Sequence, residues 1–300
     1  MRGLAFFRTI AVAGLCLASA EALAACETLD AKVRDALRSG AVAEMPDLAA
    51  AIAAEPTCDS AYVDKARRSM ALAVLASGQA ADGTFAPEAV EAAAGIARPW
   101  QVNVALGDLV YDRGDYAKAV EAYEGAINEI RNVAVVPQAP PREMELYLAK
   151  RAYQAKSLAP NYVASRGFRG EPAGVIVPRY RNFSAVSVPI PVRFETNLAT
   201  LTEDGAKAVD DLYNFLNGQD IKVLKLTGHT DETGSADYNV GLSKARAATV
   251  AAALKEKGIN CKIEIIGAGE TQPFEADDRS KYSEDDLYAF DRRVEFEVVQ

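Results

Sequence analysis

Asp231 and Arg246 stand in the stretch LTGHTDETGSADYNVGLSKARAATV, residues 226–250, and are the two side chains there best suited to chemistry. From about Ala236 the pattern is helical, since Leu242, Val250 and Leu254 recur at four-residue spacing and share one face. Arg246 falls on that apolar line. A guanidinium turned away from bulk water needs an anionic partner or a ligand, because an unpaired buried charge costs roughly several kcal/mol. On spacing alone, Asp231 and Arg246 read as a buried ion pair that fixes a strand against the helix. His229 is the sole histidine, so neither a histidine-based catalytic triad nor a multi-histidine metal centre can be assembled. We expect it to be a structural residue at a strand end. Carboxylates for glycoside hydrolysis are not excluded by residue type, because acidic residues are plentiful and their separation is not visible in sequence.

The elements that must position Asp231 and Arg246 lie between Ala185 and the last residue. SAVSVPIPVRF alternates as a strand, EDGAKAVDDLYNFLN reads as an amphipathic helix, and IKVLKLTGH is a second strand that ends just before Asp231. Gly234 and Ser235 supply a tight turn into the long helix that carries Arg246. That helix stops at Gly258 and is followed by the strands CKIEIIGAG and RRVEFEVVQ. The order predicts a β-α-β-α-β-β unit: one mixed sheet with helices on one face, right-handed crossovers joining the first three strands, and a hairpin-like return between the last two. The acidic stretch FEADDRSKYSEDDLYAFD before the last strand reads as a solvated surface loop.

The chain before Ala185 has a different texture. Residues 1–25 read as an export signal, with Arg2 and Arg8 ahead of a short apolar run and small residues at Ala22–Ala24. No later run is long and apolar enough to span a membrane. Two readings of Cys26 stay open. LAAC resembles a lipobox, which would lipidate Cys26 and attach the protein to the outer membrane; alternatively, Cys26 pairs with Cys58 in an oxidising compartment. Cys261, in a strand, is expected to be a free core thiol.

Residues 26–159 are alanine-rich with helical periodicity and few β-branched runs, so this half is expected to be all-α. Residues 160–184, rich in Pro, Gly and aromatics, read as a linker with extended pieces. Within the helical half, VALGDLVYDRGDYAKAVEAYEGAINEI resembles a tetratricopeptide repeat at Leu106, Gly107, Gly114, Tyr116, Ala119, Tyr123 and Ala126. A single repeat cannot bury its own apolar face, so a short stack of helical hairpins is expected. Such stacks present a surface to other proteins, and the resemblance implies an envelope-protein partner. The overall class is therefore α+β. The net charge of -9 and the lack of a basic patch argue against nucleic acid.

Residues 185–300 carry a second resemblance. Gly228-His229-Thr230-Asp231, Gly234, Asn239, Leu242-Ser243, Arg246-Ala247 and Val250, then Gly267, Gly269-Glu270, Pro273 and Arg292-Arg293-Val294-Glu295, are similar to the OmpA-like peptidoglycan-binding domain. The resemblance implies a periplasmic protein of a Gram-negative envelope that holds cell-wall peptidoglycan without cleaving it and needs no cofactor. The implied ligand group is the diaminopimelate of the stem peptide. Asp231 would take its ammonium, and Arg246 would hold its carboxylate with a bidentate fork that lysine lacks. The family pattern also carries to Asn197, Thr233, Asn239, Leu242 and Arg293 as residues that line or support the pocket. Where the family often has asparagine before the paired arginines, this chain has Asp291. Two other functions remain open: an assembly factor that chaperones envelope proteins, and a wall hydrolase.

Overall fold

The computed structural model describes residues 15–161, 163–164, 187–276 and 278–299, with the side chains of residues 15–24 and 142 outside the description. Most of the expected export signal, and nearly all of the expected linker, lie outside the described residues. The chain forms two compact units, divided within one helix between Val102 and Asn103.

The first unit is helical: α1 (Leu15–Ser39), α2 (Met45–Ala54), α3 (Ser60–Ser77) and α4 (Pro87–Ile96) precede the dividing helix α5 (Trp100–Asp112). Its starts are marked locally. Asp59 caps α3 by accepting from the backbone N–H groups of Ala61 and Tyr62 at 2.9 and 3.2 Å, and prolines open α2 and α4 where a missing N–H costs nothing. Met45, Ile52, Met70, Ala71, Val74, Val90 and Ala93 fill the interior. Cys26 and Cys58 are disulfide-bonded, with Cα atoms 5.2 Å apart, which staples α1 to the loop before α3.

The second unit begins with α5 from Asn103, continues through α6 (Tyr116–Arg131) and α7 (Arg142–Leu158), and then adds the sheet. Gly114 turns the chain with φ +78° and Asp115 caps α6 through Lys118 N–H. Gly107 has no side chain where the Tyr123 ring passes, and a Cβ there would lie 2.5 Å from Cε1. The strands and helices then follow as β1 (Val188–Ile190), α8 (Glu203–Leu216), β2 (Val223–His229), α9 (Ala236–Glu256), β3 (Lys262–Gly269), α10 (Glu284–Asp291) and β4 (Val294–Val299). Leu224 and Leu226 of β2, Val294 and Phe296 of β4, and Val188 and Ile190 of β1 point to one face. There they pack with Leu212 and Leu216 of α8 and Val250 and Leu254 of α9. Each such side chain contributes roughly 1.5–3 kcal/mol by leaving water.

The mixed sheet with α8 and α9 on one face matches the sequence reading, but its last connection does not. The strand order is β1-β4-β2-β3. Instead of returning as a hairpin beside β3, β4 inserts antiparallel between β1 and β2, while β2 and β3 run parallel. A tight hairpin has no length to reach that slot, and the acidic stretch supplies it. The stretch contains a 3-10 turn at Arg279–Lys281 and then α10, which opens with a capping box between Ser283 and Asp286. The stretch is not a purely solvated loop. Most of its described charges face out, but Asp291 is buried and accepts from the Phe274 N–H, and Phe274, Tyr282, Leu287 and Phe290 cluster with Tyr153 and Leu158 of α7. Tyr153 Oη also donates to the Phe290 carbonyl at 2.8 Å. That contact helps explain why α6 and α7, expected to belong with the first helices, group with the sheet.

Candidate ligand-binding site

The C-terminal end of β2 and the N-terminal turns of α9 build the site. Gly228 and Gly267 let α9 lie directly on the strands: a Cβ at Gly228 would sit 2.0 Å from the Ser243 carbonyl oxygen, and one at Gly267 would sit 2.6 Å from that of Val240. Ser243 Oγ accepts from the Gly269 N–H at 3.0 Å, tying helix to strand. Beyond β2 the Thr230 N–H donates to the Gly269 carbonyl. Asp231 Oδ1 then accepts from the Thr233 N–H at 2.9 Å, an Asx-type turn. Gly234, at φ +108°, turns the chain into Ser235, which caps α9 through the Tyr238 N–H. The motif's glycines, aspartate and serine thus have local structural causes before any ligand is considered.

These turns open on a cavity of about 650 Å³ whose lining includes Asn197, Asp231, Thr233, Tyr238, Asn239, Leu242, Arg246 and Arg292. Arg246 is 5% exposed. Its Nε donates to the Leu198 carbonyl at 3.1 Å and its Cζ lies 5.2 Å from the Phe194 ring centre. No carboxylate among the described residues pairs with it, and its terminal amino groups are left for something that enters the cavity. Burial, and then the charge of Arg292, lower its pKa, which marks a cation placed where an anion would be welcome.

Asp231 is paired elsewhere, so the ion-pair reading of Asp231 with Arg246 gives way. Its Oδ2 accepts from Arg292 Nη1 at 2.8 Å. Burial alone would raise its pKa. The hydrogen bonds from Arg292 and Thr233 outweigh that and hold the carboxyl below its ordinary range. Asn239 Nδ2 donates to the Asp231 carbonyl at 3.3 Å and to the Glu270 carboxylate. Asn197 is the one non-glycine residue with positive φ (57°) among the described residues, and its carbonyl accepts from Tyr238 Oη at 3.2 Å. Arg193 closes the floor: its guanidinium donates to the carbonyls of Lys156, Ala159 and Pro160 at the end of α7, where cations suit the helix terminus. Ser157 of that end also lines the cavity.

Six of the seven expected residues therefore meet around one cavity, and Arg293 does not. Arg293 is buried on the other side of the sheet, with its Nε on Glu295 Oε1 at 2.7 Å and its Nη2 on the Gln272 carbonyl at 3.1 Å. Arg292 faces the cavity instead. The alternation of β4 could have separated the pair, since Val294 points to the helix-covered face and residues two apart share a face. Tyr238 was also missed. An exposed aromatic at the start of a helix carries no distinct signal in one sequence. His229 is fully buried beside Glu295 and Arg293, with Nε2 3.7 Å from Glu295 Oε1, and is not part of the lining of the Asp231 cavity. Cys261 is half-buried and unbonded, and burial raises its thiol pKa.

Residues 193–284 match the model of the OmpA family, so the C-terminal part of the chain carries an OmpA-like domain. Outer membrane protein A of Escherichia fergusonii is 36% identical over 148 residues, which are 45% of this chain and 61% of that protein. The Citrobacter freundii protein of the same name is 40% identical over 114 residues, 36% of this chain and 48% of its own length. The chain thus spans between about half and three fifths of these two relatives. Among solved structures, the peptidoglycan-associated lipoprotein from Burkholderia pseudomallei is similar at 22% identity and a TM-score of 0.31, over 36% of this chain and 88% of that one.

Proposed function

We propose that the sheet unit binds peptidoglycan non-covalently through the diaminopimelate end of a stem peptide, and that the chain works in the bacterial envelope. The observation that carries this reading is one cavity holding both an ionised aspartate and an arginine with unpaired terminal amino groups. A free amino-acid terminus presents an ammonium beside a carboxylate and is matched by that pair. The Arg246 fork takes the carboxylate bidentately. A carboxylate has about four lone-pair sites, so Asp231 can accept the ligand ammonium while keeping Thr233 N–H and adjusting its contact with Arg292. Thr233, Asn239 and Leu242 shape the walls and Asn197 the rim. The match to the OmpA family model and to Outer membrane protein A is in keeping with work in the envelope. No bond need be cleaved, and the chemistry requires no cofactor. On this reading, an envelope-protein partner engages the helical part of the chain, residues 26–159, and the chain tethers it to the wall.

Co-sedimentation with diaminopimelate-containing sacculi tests the reading. Wild type is expected in the pellet. Asp231→Ala and Arg246→Ala, each removing charge-assisted hydrogen bonds of about 1.5–3 kcal/mol, are expected in the supernatant with unchanged circular dichroism. Folded wild type that stays in the supernatant would end the proposal.

A further inference from the structure

We infer that Tyr238 and Leu198 form a second subsite at the cavity mouth, one that takes the amino-sugar ring to which the stem peptide is attached. This rests on the reading of the cavity given above. Tyr238 is 49% and Leu198 53% exposed, the two most exposed large hydrophobic groups of the described residues around the site. Neither is loose. The Tyr238 backbone N–H is held by the Ser235 cap and its hydroxyl donates to the Asn197 carbonyl at 3.2 Å. One ring edge lies against Gly234, where an added Cβ would be 3.5 Å from Cδ1. The Leu198 backbone is held through its carbonyl, which accepts from Arg246 Nε. The ring therefore bridges the two loops that frame the mouth, those at Asn197 and Gly234, and keeps an apolar surface toward solvent with little rotamer freedom left to lose.

A fixed, half-exposed aromatic beside polar groups suits a ligand with one C–H-lined face and hydroxyls at its edge, as a pyranose has. Spacing supports the assignment. Tyr238 and Arg246 are two turns apart on α9, about 12 Å along the axis, and both side chains lean the same way. In the wall polymer, a lactyl link and two residues separate the sugar from the diamino acid, roughly 10 Å of extended chain. A ligand whose diamino acid reaches Arg246 thus brings its sugar to the rim rather than into the cavity.

The test compares two soluble probes by calorimetry: a free stem tetrapeptide containing diaminopimelate, and the same peptide on its disaccharide. Wild type is expected to bind the disaccharide form about tenfold more tightly. Tyr238→Ala is expected to bring that ratio close to one, and Tyr238→Phe, which keeps the ring, to retain most of it. Equal wild-type affinity for the two probes, or a ratio that survives Tyr238→Ala, overturns the subsite. If wild type binds neither probe, the reading of the cavity fails and this inference with it, a result distinct from tight binding of both probes at equal affinity.

Discussion

The two units bury different things. Up to Val102, every side chain fully buried among the described residues is apolar, and a disulfide adds a covalent staple. From Asn103 onward the interior also takes in Asn103, Glu124, Glu129, Arg151, Gln154, Lys156, Asp211, His229, Thr230, Asn239, Ser243, Arg246, Asp291 and Arg293. Apolar burial stabilises without direction and tolerates many sequences of similar volume. A buried polar group costs free energy unless a particular partner meets it, so its presence marks a place where geometry is being specified. Some of these groups stitch α6 to α7. Others lie around the Asp231 cavity or in the layer behind it, where α7 and α10 meet the sheet. The first unit looks built to persist, and the second built to hold specific atoms in specific places.

The largest effect expected from that contrast is at Lys156, whose Nζ lies 2.7 Å from Glu124 Oε1 with both side chains almost wholly buried. Lys156→Ala removes the paired cation from a buried carboxylate and should cost about 3–5 kcal/mol, whereas Lys156→Met with Glu124→Leu should come close to wild type. Calorimetric unfolding of the full chain would separate the two cases. Two equally damaging variants would mean that side-chain volume, not charge, dominates there. Reducing the Cys26–Cys58 bond, which spans 32 residues of sequence, should cost slightly less, about 3–4 kcal/mol through restored freedom of the unfolded chain. That loss is expected in the transition of the first unit alone. A matching drop in the second transition would show that the two units do not unfold independently.

What was legible follows the same division. Periodicity and glycine spacing identified the helices, the sheet unit and the neighbourhood of Asp231 and Arg246, because α9 and its turn are specified by residues close in sequence. The slot that β4 takes was not legible. Insertion between β1 and β2 depends on pairing across the whole sheet, and VEFEVV alternates equally well in a central strand or at an edge. The acidic stretch was misread because its charges outnumber Phe274, Tyr282, Leu287 and Phe290, and only the position of α7 reveals what those four face. Arg292 was overlooked for Arg293 because a resemblance matches positions, whereas the cavity selects by the face of the sheet. Asp231 changed partner for the same reason: its arginine comes from the end of α10, 61 residues away, and sequence spacing carried only the helix that follows Asp231.

The smallest of these stability effects depends on pH and belongs to the second unit. His229 is completely buried, and burial, with the Arg293 charge added, lowers its pKa from 6.5 to about 4, while Glu295 only partly offsets the two. The unfolded chain therefore binds a proton to this imidazole before the folded chain does, and stability is fully present above the ordinary value near 6.5. It should decline as pH falls through that value, and the loss should be complete near pH 4, amounting to about 3 kcal/mol at most. Asp231 shifts the balance in the same direction at lower pH, because a carboxyl held below its ordinary range also withdraws its stabilisation as it is protonated in the fold. The two separate by position: His229→Gln should flatten the unfolding profile between pH 6.5 and 4, whereas Asp231→Asn should act on its more acidic part. The helical unit buries no titratable side chain among its described residues, so its transition should change little across that window. A first transition that tracks the second through it would undo the distinction between the two interiors.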